Sequence, residues 1–162
     1  TETIYTNSLI VYGDWRDELL KRSYLVNVAS LTTQKNHMLL LKIFNVLVSK
    51  DHHLKLVIIG KGEAETRIRS MCNDMGLQIS SLNGRDIDST QVFLLGYQPN
   101  PYPFLRNGKV FVMTSEWEGL PISLLEAMSL KTPVVISDCS TAVRQIMLTI
   151  GSAEDSEPWA CT

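Results

Sequence analysis

The sequence predicts an α/β fold built on a Rossmann-like, doubly wound parallel sheet, and three observations lead there. Short apolar runs alternate with segments whose apolar residues recur at helical spacing. Most of the runs are apolar throughout rather than at every second position, as in strands covered on both faces. Polar, Gly- and Asn-containing stretches punctuate the joins. Strand–helix alternation of this kind calls for right-handed crossovers, with helices on both sides of the sheet.

Strands are expected over 8–12, 24–29, 55–59, 91–95, 109–114 and 133–137. Between them, 35–49 carries Leu39, Leu40, Ile43, Phe44 and Leu47 at helical spacing. The stretch 63–76 carries Ala64, Ile68, Cys72 and Met75 on one helical face, with Gly76 suited to the C-cap. A short helix is expected over 101–107. Another opens at Pro121 and runs to 130, because proline suits a first helical position where its missing N–H costs nothing. The polar segment 77–90, with Asn83-Gly84 as a turn signal, reads as an exposed loop. Residues 1–147 form the domain. The tail 148–162 shows neither period and reads as irregular and partly disordered.

Bulk properties bound the function. A chain of 162 residues, 44% apolar and 20% charged, fits one soluble domain with a real core. A net charge of -2 gives no electrostatic reason to expect a nucleic-acid partner. Cys72, Cys139 and Cys161 have no metal-type spacing and cannot all pair, which suits a reducing compartment. No stretch approaches the ~20 apolar residues of a membrane span. The first residues lack the pattern of a signal peptide. A cytoplasmic location is the expectation.

The most informative segment is Glu118-Gly119-Leu120-Pro121-Ile122-Ser123-Leu124-Leu125-Glu126-Ala127-Met128. It places one carboxylate in the loop after a buried strand and a second on the helix that follows. A helix N-terminus offers free N–H groups and a positive dipole end, which favour a phosphate. Carboxylates beside it suit the hydroxyls of the same ligand. A sugar nucleotide has both parts. Loops 30–35, 60–62, 96–100 and 115–119 all follow expected strands, so they converge on the edge where α/β sheets bind ligands.

This segment resembles the Glu, seven residues, Glu signature of retaining GT-B glycosyltransferases of the "glycosyl transferases group 1" family. Tyr24–Leu31 with Gln34-Lys35-Asn36-His37, Leu56–Glu63, Phe93–Tyr97 with Asn100-Pro101-Tyr102, and Lys131–Cys139 resemble further segments of that family in the same order. The likeness covers roughly residues 20 to 147 and extends to its capsule and lipopolysaccharide members.

The resemblance implies the donor-binding half of an enzyme that transfers a sugar from a UDP- or GDP-sugar, with no metal or other cofactor. It implies an acceptor-binding domain preceding this region and closing helices after it. The chain therefore reads as a piece inactive alone, and the full-length enzyme as a peripheral one at the inner membrane face.

By resemblance, Glu118 contacts hydroxyls of the transferred sugar, Glu126 the donor ribose and Lys35 the diphosphate. Gly119 and Leu120 offer backbone N–H groups. Ser30, Gly60, Lys61, Gly96 and Tyr97 line the donor site. Each has a plainer reading: a favourable charge at a helix start for Glu118, a solvated helical acid for Glu126, a first-turn surface lysine for Lys35, and a tight turn for Gly60-Lys61-Gly62. Ser30 stands where the family usually carries Arg, which removes a cationic fork from the diphosphate; Lys61 is a candidate to compensate. Trp117 suits a sugar face or the core equally. Arg144 matches a family arginine, although its neighbours do not. The three histidines read as structural or surface residues.

Three other readings are weighed. A sugar-nucleotide epimerase shares the fold but not the context of Glu118 and Glu126. A non-catalytic binding module is favoured by Ser30 alone. A response-regulator receiver is disfavoured, because Gly60-Lys61 stands where its exposed Asp belongs.

Overall fold

The computed structural model describes residues 2–9, 12–80, 86–151 and 160–161. Its strands are β1 Tyr24–Val28, β2 Lys55–Ile59, β3 Ile79–Ser80, β4 Val92–Leu94, β5 Val110–Met113, β6 Val134–Ile136 and β7 Ala160–Cys161. They form one parallel sheet in the order β3-β4-β2-β1-β5-β6-β7. The chain enters at the centre with β1, builds outward on one side, then crosses back to place β5 on the other. The order reverses at β1 and β5, which pair through Leu25–Val110 and Val26–Phe111. A crevice beyond the carboxyl ends of those strands is where such sheets take ligands.

Two apolar layers flank the sheet. Val26, Val57, Phe93, Phe111 and Ile136 point into one, and Leu25, Leu56, Ile58, Val92 and Val112 into the other. The second layer is capped by α3 His37–Val48 and α4 Glu65–Asp74, through Leu40, Leu41, Phe44, Ile68 and Cys72. The first is capped by α2 Trp15–Leu20, α5 Tyr102–Asn107, α6 Ile122–Ser129 and α7 Thr141–Gly151. The alternating burial of consecutive strand residues explains the continuously apolar runs in the sequence.

Several elements differ from the sequence expectation. Of the strand expected over 8–12, the described residues Ser8, Leu9 and Tyr12 are not in a strand, and residues 10 and 11 lie outside the described set. A helix, α1 Glu2–Asn7, precedes them, and its end is tied to α5. Asn100 donates to the Asn7 carbonyl at 2.9 Å, and Arg106 to the Ser8 hydroxyl at 3.1 Å. Gly13, at φ 72°, then turns the chain, and Asp14 caps α2 by accepting from the Arg16 N–H. Six residues proved too short for α2 to show a period, yet Leu19 is fully buried and Trp15 stacks on Phe93.

The expected loop 77–90 contains β3, a two-residue edge strand on β4; the Asn83-Gly84 turn lies outside the described residues. The expected tail is helical through Gly151, because Val143 and Met147 anchor α7 in the core. Further on, β7 pairs with Val135 and Ile136, and residues 152–159 lie outside the described set.

The helix expected from 35 is divided. Thr33–Lys35 form a 3-10 turn, Asn36 breaks it at φ 45°, and α3 starts at His37. Asn tolerates that left-handed conformation, and its side chain accepts from the Leu39 N–H as the cap. Lys35 is therefore not in the first turn of α3. Pro121 stands at the N-cap of α6 rather than inside it.

Candidate functional site

The loops that follow β1, β2 and β4 are stitched together by their backbones. The Leu31 N–H donates to the Lys61 carbonyl at 3.0 Å, and the Gly60 N–H to the Gly96 carbonyl at 2.9 Å. A Cβ on Gly60 would fall 1.8 Å from the Ala29 carbonyl oxygen, and one on Gly62 would fall 2.3 Å from that of Leu31. Both glycines are thus required by the approach of two loops. This is a structural reason that holds with or without a ligand.

Above that floor opens a cleft of about 530 Å³, in the size range of small-molecule sites. Ser30, Gly60, Lys61, Tyr97, Tyr102 and Glu126 are among the residues lining it. The ring of Tyr97 is largely exposed at its mouth. Glu126 reaches the cleft from the second half of α6, where Tyr102 donates its phenol hydrogen to the Glu126 carboxylate at 3.1 Å. Burial, and then this carboxylate, push the Tyr102 phenol above its usual pKa.

Lys35 and Glu118 meet beside the cleft. Lys35 Nζ lies 2.5 Å from Glu118 Oε1, and the Ser115 hydroxyl donates to the same oxygen at 2.7 Å. The pair is mostly out of water, with side-chain exposures of 18% and 7%. Its two loops are fixed to each other independently. The Glu116 N–H donates to the Gln34 carbonyl, Gln34 to the Trp117 carbonyl, and the Thr114 hydroxyl to the carbonyls of Lys35 and Asn36. Because Thr33–Lys35 form a separate turn, Lys35 is carried across to the loop after β5 instead of lying along α3.

Of the residues singled out from the sequence, Ser30, Gly60, Lys61, Tyr97 and Glu126 thus share one cleft, and Lys35 and Glu118 form a pair next to it. Gly96 supports the floor of that cleft. Gly119 and Leu120 lead into α6; a Cβ on Gly119 would meet nothing within 4 Å, so the backbone there is open to approach. The Leu120 side chain lines a different, shallow depression with Gln145 and Ile146 of α7.

Residues 14–149 match the family described as glycosyl transferases group 1. The chain belongs to that family. It is 36% identical over 130 residues to an uncharacterised glycosyltransferase of Methanocaldococcus jannaschii, a match covering 80% of this chain and 29% of that protein. It is 32% identical over 112 residues to the poly(ribitol-phosphate) alpha-N-acetylglucosaminyltransferase of Staphylococcus aureus, covering 69% of this chain and 20% of the relative. The chain therefore spans less than a third of the length of either.

The crystal structure of TarM superposes with a TM-score of 0.68 at 26% identity, over 87% of this chain and 25% of TarM. A variant of S. aureus TarM whose structure contains UDP superposes at 0.67 with 28% identity, over 78% of this chain and 23% of that one. The fold is the Rossmann-like α/β unit of the GT-B architecture.

Within this family member, Tyr102 is the site residue that sequence reasoning missed. Asn100-Pro101-Tyr102-Pro103 reads as a helix start, and nothing in its spacing announces that Tyr102 faces a glutamate 24 positions later. Trp117 is 55% exposed, which removes the core reading. Arg144 is engaged with Asp138 at 2.5 Å, outside the cleft. His37 is buried, in keeping with the structural of its two readings. No group of His, Cys, Asp and Glu suited to a metal occurs among the described residues. No helix among them is long and apolar enough to cross a membrane.

Proposed function

We propose that this chain is the nucleotide-sugar-binding part of a retaining glycosyltransferase acting on a polysaccharide or lipid-linked acceptor in cell-surface glycan assembly. The observation that carries this reading is the side-by-side arrangement of the Glu126 cleft and the Lys35–Glu118 pair at the carboxyl edge of the sheet. The donor is a UDP- or GDP-sugar. Its base and ribose occupy the cleft, with Glu126 accepting from ribose hydroxyls and Tyr102 holding that carboxylate in place. The diphosphate lies toward Lys35 and the start of α6, where unpaired N–H groups and the dipole add positive potential. The sugar reaches Glu118, whose Oε2 carries neither of the two bonds made by Oε1.

Breaking the glycosidic bond builds negative charge on the leaving diphosphate. Lys35 and the α6 N-terminus stabilise that charge without a bound metal. The departing phosphate then serves as base toward the acceptor on the same face, so retention needs no general base from this part of the enzyme. Ser30 supplies no cation, but Lys61 lines the same cleft and is placed to contribute one.

The reading is supported by the UDP in the TarM variant structure and by relatives named as a poly(ribitol-phosphate) alpha-N-acetylglucosaminyltransferase and a lipopolysaccharide 1,6-galactosyltransferase. Calorimetric titration with UDP, GDP and their sugars tests it. Saturable binding of one nucleoside diphosphate and its sugars is expected; no binding of any would sink the proposal.

A further inference from the structure

Glu118 is held by more than its lysine. The Ser115 hydroxyl donates to Glu118 Oε1 at 2.7 Å, the same oxygen that Lys35 Nζ approaches to 2.5 Å. Ser115 is only 2% exposed, so its hydroxyl does not face a ligand in the site and acts through the carboxylate.

The two partners differ in how firmly they are placed. Lys35 reaches Glu118 over a flexible four-carbon stem, and its ammonium can swing to another anion. Ser115 carries its hydroxyl on a single short bond, and the backbone around it is pinned. The Ser137 hydroxyl, just after β6, donates to the Ser115 carbonyl at 2.6 Å. On either side, the Thr114 hydroxyl donates to the carbonyls of Lys35 and Asn36, and the Glu116 N–H to the Gln34 carbonyl. These bonds engage the backbone of the Lys35 loop, so the lysine side chain can turn while the frame stays.

In the proposed donor site a diphosphate draws Lys35 off its carboxylate. The Glu118 side chain is only 7% exposed, and a carboxylate so placed is costly without a hydrogen-bond donor. Among the described residues, Ser115 is the donor that remains on it. We propose that Ser115 is a positioning residue, whose hydroxyl holds Glu118 in place when Lys35 passes to the diphosphate. The inference rests on the donor reading above and deepens it. The Lys35–Glu118 pair becomes a contact that can open without leaving the carboxylate unpartnered, and Oε1 stays occupied while Oε2 meets the sugar.

The test is calorimetric titration with UDP, GDP, UDP-glucose, UDP-N-acetylglucosamine and GDP-mannose. The proteins are the parent, Ser115→Ala, Ser115→Cys, Glu118→Gln and the double variant Ser115→Ala with Glu118→Gln. Affinity for the nucleoside diphosphate should fall about two- to tenfold in Ser115→Ala, the range of one lost hydrogen bond. Affinity for its sugars should fall less, because their hydroxyls then donate to Glu118. Ser115→Cys retains a weak donor and should lie between the parent and Ser115→Ala. In the Glu118→Gln background the alanine substitution should change neither affinity, since no ion pair opens there. A loop merely disturbed by the substitution would weaken both ligands in both backgrounds. A parent that binds none of these ligands removes the donor reading and this inference with it. The role of Ser115 alone is overturned, with the donor reading intact, by a parent that binds and any of three results: Ser115→Ala unchanged, diphosphate and sugar weakened equally, or the same loss in the Glu118→Gln background.

Discussion

Lys35 and Glu118, 83 positions apart in the chain, form an ion pair of 2.5 Å that each would have to loosen to meet a ligand. In the unliganded site the lysine is therefore already neutralised. A nucleoside diphosphate must draw Lys35 away and leave a buried carboxylate with only the Ser115 hydroxyl. A nucleotide-sugar compensates that carboxylate with sugar hydroxyls. The variant Glu118→Gln should consequently act with opposite sign on two ligands. Binding of the nucleoside diphosphate should tighten by about fivefold, or ~1 kcal/mol, because an ion pair no longer competes. Binding of the nucleotide-sugar should weaken by ~1.5–3 kcal/mol, the worth of a hydrogen bond to a charged group. Calorimetry on both ligands decides it; a change of the same sign for both would show that Glu118 does not face the sugar.

Glu126 and Tyr102 should separate by size of effect. Glu126→Gln removes a charged acceptor from the cleft and should weaken the nucleoside diphosphate by ~1.5–3 kcal/mol. Tyr102→Phe keeps the ring and loses only the bond that orients Glu126, so a loss of ~0.5–1.5 kcal/mol is expected. Combined, the two should cost less than their sum, since the tyrosine acts through the glutamate. Full additivity in the double variant would mean that Tyr102 binds the ligand directly.

Ser30 stands where the family resemblance leads one to expect Arg. It lines the cleft together with Lys61, so Ser30→Arg adds a cation to the wall of the proposed donor site. Tighter nucleoside diphosphate binding is expected, and Lys61→Met in the natural background should weaken it. An affinity untouched by either change, in proteins that still fold, would place the phosphates elsewhere.

The parts of this architecture that a reader of the sequence can see are those whose periods are long and whose burial is complete. Val57, Ile58 and Ile59 read as a doubly covered strand because they are one, and Leu40 and Phe44 mark α3 by spacing, although Leu39, Ile43 and Leu47, read with them, are exposed. The misses share a cause. Helices α1 and α2, six residues each, and the two-residue β3 are too short to carry a period, and are set by capping at Asp14 and by contacts to α5 and β4. At the candidate site, Glu118, Glu126 and Lys35 were singled out from type, order and family resemblance. Their partners were not. Whether Lys35 lies along a helix or crosses to Glu118 depends on a left-handed Asn36, and Tyr102 becomes a site residue only through the packing of α5 against α6.

His37 makes stability depend on pH in a direction that can be worked out. Burial first, and the nearby charge of Lys35 second, lower its pKa from 6.5 to about 4. In the unfolded chain the imidazole titrates near its ordinary value of ~6.5. Between these two values the unfolded state binds the proton more tightly, so protonation favours unfolding. The contribution of a neutral His37 is fully present above the unfolded value and is lost as pH falls through the window toward the folded one. Integrated over the window, it is on the order of 3 kcal/mol. Carboxylates titrate in the same range, and the informative quantity is therefore the difference from a variant. His37→Gln keeps an N–H donor for the Asn27 carbonyl and removes the titration. Urea unfolding of both proteins at several pH values should show the parent losing stability faster than His37→Gln as pH drops below 6.5, with the gap constant above it. Parallel curves through that window would mean that His37 takes up its proton in the folded protein as readily as in the unfolded chain.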